Sequence, residues 1–177
     1  MLIETERLIL RDYSNEDLQD FYRVKSCKEV WTYSTYVPLN NLQQAQVELE
    51  HLISKQALHE NGFCALLLKE SNCFIGEAGI LDYNKSANRC VIGYNLLPSF
   101  WQKGYATEIT RYLVQYAFED MLVERVEALA VKENTESCRV LEKSGLILEG
   151  TLKHFAKING SYHDICYYGL IRGEYAK

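Results

Sequence analysis

Several things are scarce in this sequence, and each scarcity removes a class of protein. Only two prolines occur in 177 residues, too few for proline-rich linkers or extended disordered tracts. Basic residues are not in excess, since 19 Lys and Arg against 24 Asp and Glu give a formal charge of -5. A general nucleic-acid binder usually carries a basic face, so no nucleic-acid partner is expected. No apolar run approaches membrane-spanning length, and the opening MLIETERLILRDY is too charged for a secretory signal. A cytoplasmic protein without a membrane partner is therefore expected. The G-x-x-x-x-G-K-[ST] and G-x-G-x-x-G loops are both missing, which removes the main support for nucleotide hydrolysis and dinucleotide binding. The six cysteines form no C-x-x-C pair. Several lie in apolar runs, where a reduced cysteine acts as a small hydrophobe, so neither metal nor disulfide is expected.

What is present is enough for one core. At 47% hydrophobic residues, with no internal repeat or linker, the chain reads as a single α+β domain over residues 1–177. Leu8 to Arg11 reads as a strand. Ser14 with Asp17 opens a helix to about Cys27, and Leu42 to Leu58 carries a second apolar stripe that ends near Asn61-Gly62. Phe63 to Lys69, Cys73 to Leu81 and Cys90 to Leu97 read as an antiparallel meander, being separated by short polar breaks. A helix follows from Tyr105 to Met121, then a strand from Val126 to Val131. Asn134 or Thr135 to Ser144 is a short helix with Gly145 at its C-terminal cap. Asn159-Gly160 between two β-rich runs is a hairpin signal.

Two segments carry candidate chemistry. SFWQKGYATE (99–108) puts Gly104 at the mouth of a helix straight after a strand. First-turn amides have no internal acceptor, so a diphosphate could settle there, with Gly104 and Ala106 keeping the approach narrow and Lys103 adding a cation. A plain tight corner explains the same glycine. In VKENTESCRVLEKSGL, Asn134 and Ser137 lie three apart where strand meets helix, so both face one side of its mouth. Simple capping by Asn134 explains that spacing equally well.

Together the segments resemble the GNAT superfamily of acyl-CoA-dependent N-acetyltransferases, and the branch around the ribosomal-protein alanine N-acetyltransferases in particular. TERLILRDYSNEDL is similar to that branch's opening and IGYNLLPSFWQKGYATE to its central strand and pyrophosphate loop. ENTESCRVLEKSGL is similar to its Asn-x-x-Ser helix, and INGSYHDICYYGLIRGEY to its closing hairpin. In the loop, Trp101 stands where the family usually has Gln or Arg, and Gln102 replaces a common glycine.

The resemblance implies a mixed, mostly antiparallel central sheet flanked by helices, acetyl-CoA as co-substrate, no metal, and direct attack by a primary amine on the thioester. It implies that backbone groups of the Tyr94 to Leu97 strand end, Leu96 and Leu97 among them, line the pantetheine arm and polarise the carbonyl, and that Gln102, Lys103, Gly104, Tyr105, Ala106 and Thr107 hold the pyrophosphate. Asn134 would steady the pantetheine and Ser137 would protonate the leaving thiolate. Tyr105 is expected to contribute its backbone only.

The base is less defined. Related enzymes often carry a carboxylate just before Gly93, where this chain has Cys90, Val91 and Ile92. Glu77, on an otherwise apolar strand, is the remaining candidate, although strand alternation also allows it to face solvent. His154, His163, Asp164 and a water relay are further alternatives. Trp31, Tyr33 and Tyr36 form either a wall of the acceptor groove or core packing. The acceptor implied is a protein N-terminal α-amino group, with a polyamine, an aminoglycoside or a non-catalytic CoA-binding module as alternatives. An exposed hairpin edge permits a homodimer.

Overall fold

The computed structural model describes residues 2–175. Eight strands form one sheet in the order β1-β2-β3-β4-β5-β6-β8-β7. They are β1 (Leu2–Glu4), β2 (Leu8–Arg11), β3 (Gly62–Leu68), β4 (Phe74–Asn84), β5 (Arg89–Leu96), β6 (Arg125–Val131), β7 (Ile147–Ile158) and β8 (Ser161–Ile171). The helices are α1 (Leu18–Ser26), α2 (Leu42–Ala57), α3 (Tyr105–Glu119) and α4 (Thr135–Lys143). The expected meander is β3–β4–β5, antiparallel throughout. Short β1 was not expected; it pairs with β2 through Leu2 to Glu4.

Strand β3 shows why its sequence reads as a continuous apolar run. Cys64 and Leu66 enter the core beneath α3, while Ala65 and Leu67 enter a second core with Phe21 and Val24 of α1 and Leu49 of α2. Successive side chains point to opposite faces, and here both faces are covered by helices. The closing hairpin forms as expected, with Asn159 at φ 48 and Gly160 at φ 84. Its β7 strand lies at the sheet edge and leaves Ile147, Leu148, Leu152 and Phe155 exposed. Among the described residues, no helix is long and apolar enough to cross a membrane.

The sheet has one parallel pair. Strands β5 and β6, joined through α3, pair only at Arg89↔Arg125, Cys90↔Val126 and Val91↔Glu127. Beyond Val91 the ladder stops, although β5 runs on to Leu96 and β6 to Val131. Leu81 is the extra residue of a bulge in β4, since Ile80 pairs with Ile92 and Asp82 with Val91. The parting of β5 from β6 opens a cleft in the middle of the sheet.

Candidate active site

The cleft has a volume of about 600 Å³ and is lined by both separated strands, from Val91 to Asn95 on β5 and Ala128 to Val131 on β6. Asn134 and Ser137 of the β6–α4 corner also line it, as do Trp31, Tyr33 and Tyr36 from the connection between α1 and α2. The aromatic trio therefore borders the cleft, and Trp31 belongs to the core as well, being 7% exposed.

Helix α3 follows β5 and lends Thr110 and Leu113 to the cleft wall. Gly104 is its N-cap in the left-handed region at φ 82, a conformation that side chains with a Cβ resist. Gln102 occupies the same region at φ 58, where the related loops have glycine. The helical ladder opens with Glu108 N–H donating to Gly104 O at 3.0 Å, which leaves the amides of Tyr105, Ala106 and Thr107 without intrahelical acceptors. A Cβ built on Gly104 would sit 3.3 Å from Arg7 Nη2. Among the described residues, apart from the chain neighbours of Gly104, that guanidinium is the one group within 4 Å of that point.

Arg7 and Glu108 brace this turn. Glu108 accepts from Thr5 Oγ1 at 2.5 Å, Arg7 N at 2.9 Å and Arg7 Nε at 2.6 Å. The Arg7 guanidinium also donates to Lys103 O at 3.0 Å and lies 4.6 Å from the Tyr105 ring centroid. Burial raises the Glu108 carboxyl, but the hydrogen bonds from Thr5 and Arg7 outweigh it and hold the group below the usual carboxylate range. Lys103 is exposed beside Phe100. Tyr105 is engaged by Arg7, in keeping with a backbone role in the loop.

The strand end from Tyr94 to Leu97 divides in two. Leu96 O accepts the Trp101 indole N–H at 2.7 Å, and Leu97 N–H donates to Ile75 O at 2.9 Å. With these groups engaged inside the protein, Tyr94 and Asn95 are the part of that strand end that lines the cleft.

At the β6–α4 corner, Asn134 Oδ1 accepts Ser137 N–H at 3.2 Å, so capping is one of its tasks. Ser137 Oγ lies 3.1 Å from Tyr94 OH. Burial pushes the Tyr94 hydroxyl up to about 12, with the Ser137 hydrogen bond pulling the other way. Tyr94 therefore stays protonated at neutral pH, and the two hydroxyls form a donor pair on the cleft. Tyr94 was expected to contribute its backbone at the strand end; the part played by its side chain was not anticipated.

Glu77 is 0% exposed, which excludes the solvent-facing alternative. Its carboxylate accepts from Tyr13 OH at 2.9 Å, Lys25 Nζ at 3.0 Å and Asn95 Nδ2 at 2.8 Å. Of these partners, Lys25 and Asn95 line the cleft, together with Glu48 of α2. His154, His163 and Asp164 lie on the β7–β8 hairpin. His154 stacks on Tyr162, His163 faces Glu133 at 3.4 Å, and Asp164 accepts from His154 N–H at 3.0 Å. All six cysteines are free. Among the described residues, no group of three or more His, Cys, Asp or Glu side chains is arranged to hold a metal ion.

Comparison with known proteins agrees with this geometry. The acetyltransferase (GNAT) domain profile matches residues 7–147. An uncharacterized N-acetyltransferase, p20, of Bacillus licheniformis is 30% identical over 172 residues, covering 97% of each chain. Spermidine N(1)-acetyltransferase of Escherichia coli K12 is 24% identical over 94% of this chain and 87% of its own. The solved structure of the ribosomal L7/L12 α-N-protein acetyltransferase RimL in complex with coenzyme A superposes with a TM-score of 0.86 at 19% identity, covering 97% of this chain and 98% of that one. With its sheet parted at the one parallel pair and its sequence matched from Arg7 to Ile147, this chain belongs to the GNAT family and is an N-acetyltransferase.

Proposed function

We propose that the chain moves the acetyl group of acetyl-CoA to a primary amine by direct attack, and that the acceptor is an α-amino group such as a protein N-terminus. The observation that carries this reading is the β5–β6 parting, with the Ser137–Tyr94 hydroxyl pair on its wall and the open mouth of the α3 helix that follows β5. The bare Gly104 backbone, with the Arg7 guanidinium near it, suits a diphosphate held by backbone amides. Lys103, Tyr105, Ala106 and Thr107 complete that turn, and Gln102 shapes it. Asn134 and the β5 strand end would steady the pantetheine arm.

In the transfer, the amine nitrogen forms a bond to the acetyl carbon and the carbon–sulfur bond breaks, its electron pair going to sulfur. Ser137, polarised by Tyr94, supplies the proton that quenches the thiolate and takes one back through Tyr94 from the cleft water that receives the amine's proton. The amine loses one proton to cleft water. An α-amino group has an unperturbed pKa near 8 against roughly 10.4 for an alkylamine, so a useful neutral fraction exists at pH 7 without a strong base. That suits a cleft in which Glu77 already receives three donors. Glu77 is then a positioning residue, acting through Lys25 and Asn95 rather than on the amine. A second copy would add at the exposed β7 edge, which size-exclusion chromatography reads directly.

Thiol release from acetyl-CoA with peptide N-termini, spermidine and an aminoglycoside tests the reading. Peptide-dependent release supports it. CoA binding without release for any amine would leave the non-catalytic alternative, and spermidine as the preferred acceptor would move the substrate class.

A further inference from the structure

Helix α1 buries Phe21 and Val24, and on the same face it buries a lysine. Lys25 is 3% exposed, a burial that lysine tolerates only when paired. Its Nζ lies 3.0 Å from Glu77 Oε1 and 3.5 Å from Glu48 Oε1. Four ring centroids surround it, Trp31 and Tyr36 at 4.9 Å, Phe21 at 5.2 Å and Phe63 at 5.5 Å. Each is within the range where a ring face attracts a cation, and the attraction is largest when the cation is desolvated.

The surroundings are fixed in turn. Tyr13 and Asn95 hold the back of Glu77, and Tyr36 OH donates to Glu48 Oε2 at 2.7 Å. Lys25, Trp31, Tyr36, Glu48 and Phe63 line the same cleft as Tyr94 and Ser137. Four rings and two carboxylates around one alkylammonium are the materials of a site for the far ammonium of a diamine. Here the chain itself provides that ammonium. Of the two carboxylates, Glu48 is the more open, its side chain 29% exposed against 0% for Glu77.

We propose that Lys25 is a specificity-determining residue: it fills the ammonium box of the cleft, so that acceptors carrying one positive charge are taken and diamines and polyamines are refused. The proposal rests on the cleft being the acetyl-transfer site, and deepens that reading by setting the charge of the acceptor.

A matched pair of amines isolates the charge. n-Butylamine and 1,4-diaminobutane present the same nucleophile and differ in the second ammonium. The wild-type protein should favour butylamine in kcat/KM by at least about tenfold, a modest share of what like-charge repulsion in a confined site provides. Equal or better use of the diamine overturns the proposal. Lys25→Ala empties the box and should lose or invert the preference.

Thermal unfolding gives a readout that needs no turnover. Butylammonium should raise the Tm of Lys25→Ala by about 2–4 °C, the size of shift a bound ligand gives a domain of this length. It should leave the wild type and Lys25→Met unmoved, since their boxes are filled. If Lys25→Ala does not fold, Lys25→Ala/Glu77→Gln removes the uncompensated buried charge and keeps the rings and Glu48 for the same measurement. No shift in the folded variant overturns the proposal. A shift in a protein whose wild type acetylates neither of these amines nor a peptide N-terminus sinks the transfer reading and leaves the box standing.

Discussion

At the mouth of α3 the groups offered to a ligand are backbone amides, whereas around Lys25 they are rings and carboxylates drawn from α1, α2, β3, β4 and the connection between the helices. The first arrangement is local. A glycine at φ 82, an unfilled first turn and a brace from Arg7 make it. The second exists only because distant segments pack together, and each member constrains the others. A single change at the α3 mouth should therefore abolish one contact set and spare the fold, while a change in the box should spread into stability.

The largest contrast comes from Gly104→Glu. The carboxylate would stand in front of the first-turn amides and repel a diphosphate. Losing about two charge-assisted hydrogen bonds, at roughly 1.5–3 kcal/mol each, corresponds to roughly a hundred- to ten-thousand-fold weaker CoA binding. Calorimetric titration reads it, and an unchanged affinity in a folded variant would remove the loop from the binding site.

Next is Ser137→Ala. Under the proposed role, in which Ser137 protonates the thiolate, the variant should lower kcat by roughly ten- to a thousand-fold with little change in acetyl-CoA affinity. If affinity falls and saturated turnover survives, Ser137 binds and does not donate. Tyr94→Phe should follow the same direction with a smaller loss, because it touches the hydroxyl of Ser137 at 3.1 Å rather than replacing it.

Glu77→Gln tests the box side of the comparison. Removing one member of a buried ion pair costs about 3–5 kcal/mol at most, and less here because Glu48 still faces Lys25. A lower Tm with the acidic limb of kcat/KM against pH intact is the expected result. A flattened limb and a rate loss of at least about tenfold at neutral pH would make Glu77 the base after all.

The smallest effect is the acid response of the α3 brace. The Glu108 carboxyl is held below the usual carboxylate range in the folded protein. Its contribution is therefore complete above the unfolded value, near 4.3 for a glutamate, and is lost as pH falls through the folded value. Tm measured between about pH 3 and pH 6 should fall less steeply in Glu108→Gln than in the wild type. Identical slopes would mean that the Thr5 and Arg7 contacts do not set the proton affinity.

How much of this was legible before folding follows the same division. The meander, the Asn159-Gly160 hairpin and the four helices rest on period and turn chemistry, which act over a few residues, and the chain spelled them out. So did the Gly104 turn and the Asn134–Ser137 spacing, since both depend on helix ends. Buried Lys25 left one faint mark, a lysine four residues after Phe21 on the apolar stripe of α1. Nothing local showed that Arg7 braces a loop nearly a hundred positions away, or that Trp101 takes the Leu96 carbonyl.

The sequence by itself determined every element but the short β1, their order, and the glycine turn at the mouth of α3, because those follow from periodicity and from unpaired amides at helix starts. Tertiary structure alone decided that β5 and β6 part after Val91, that Tyr94 meets Ser137 and that Glu77 is enclosed by Tyr13, Lys25 and Asn95. Strand alternation allowed Glu77 either face of the sheet. Only the helices that cover both faces, and the ammonium that α1 brings to it, settled what that carboxylate could do.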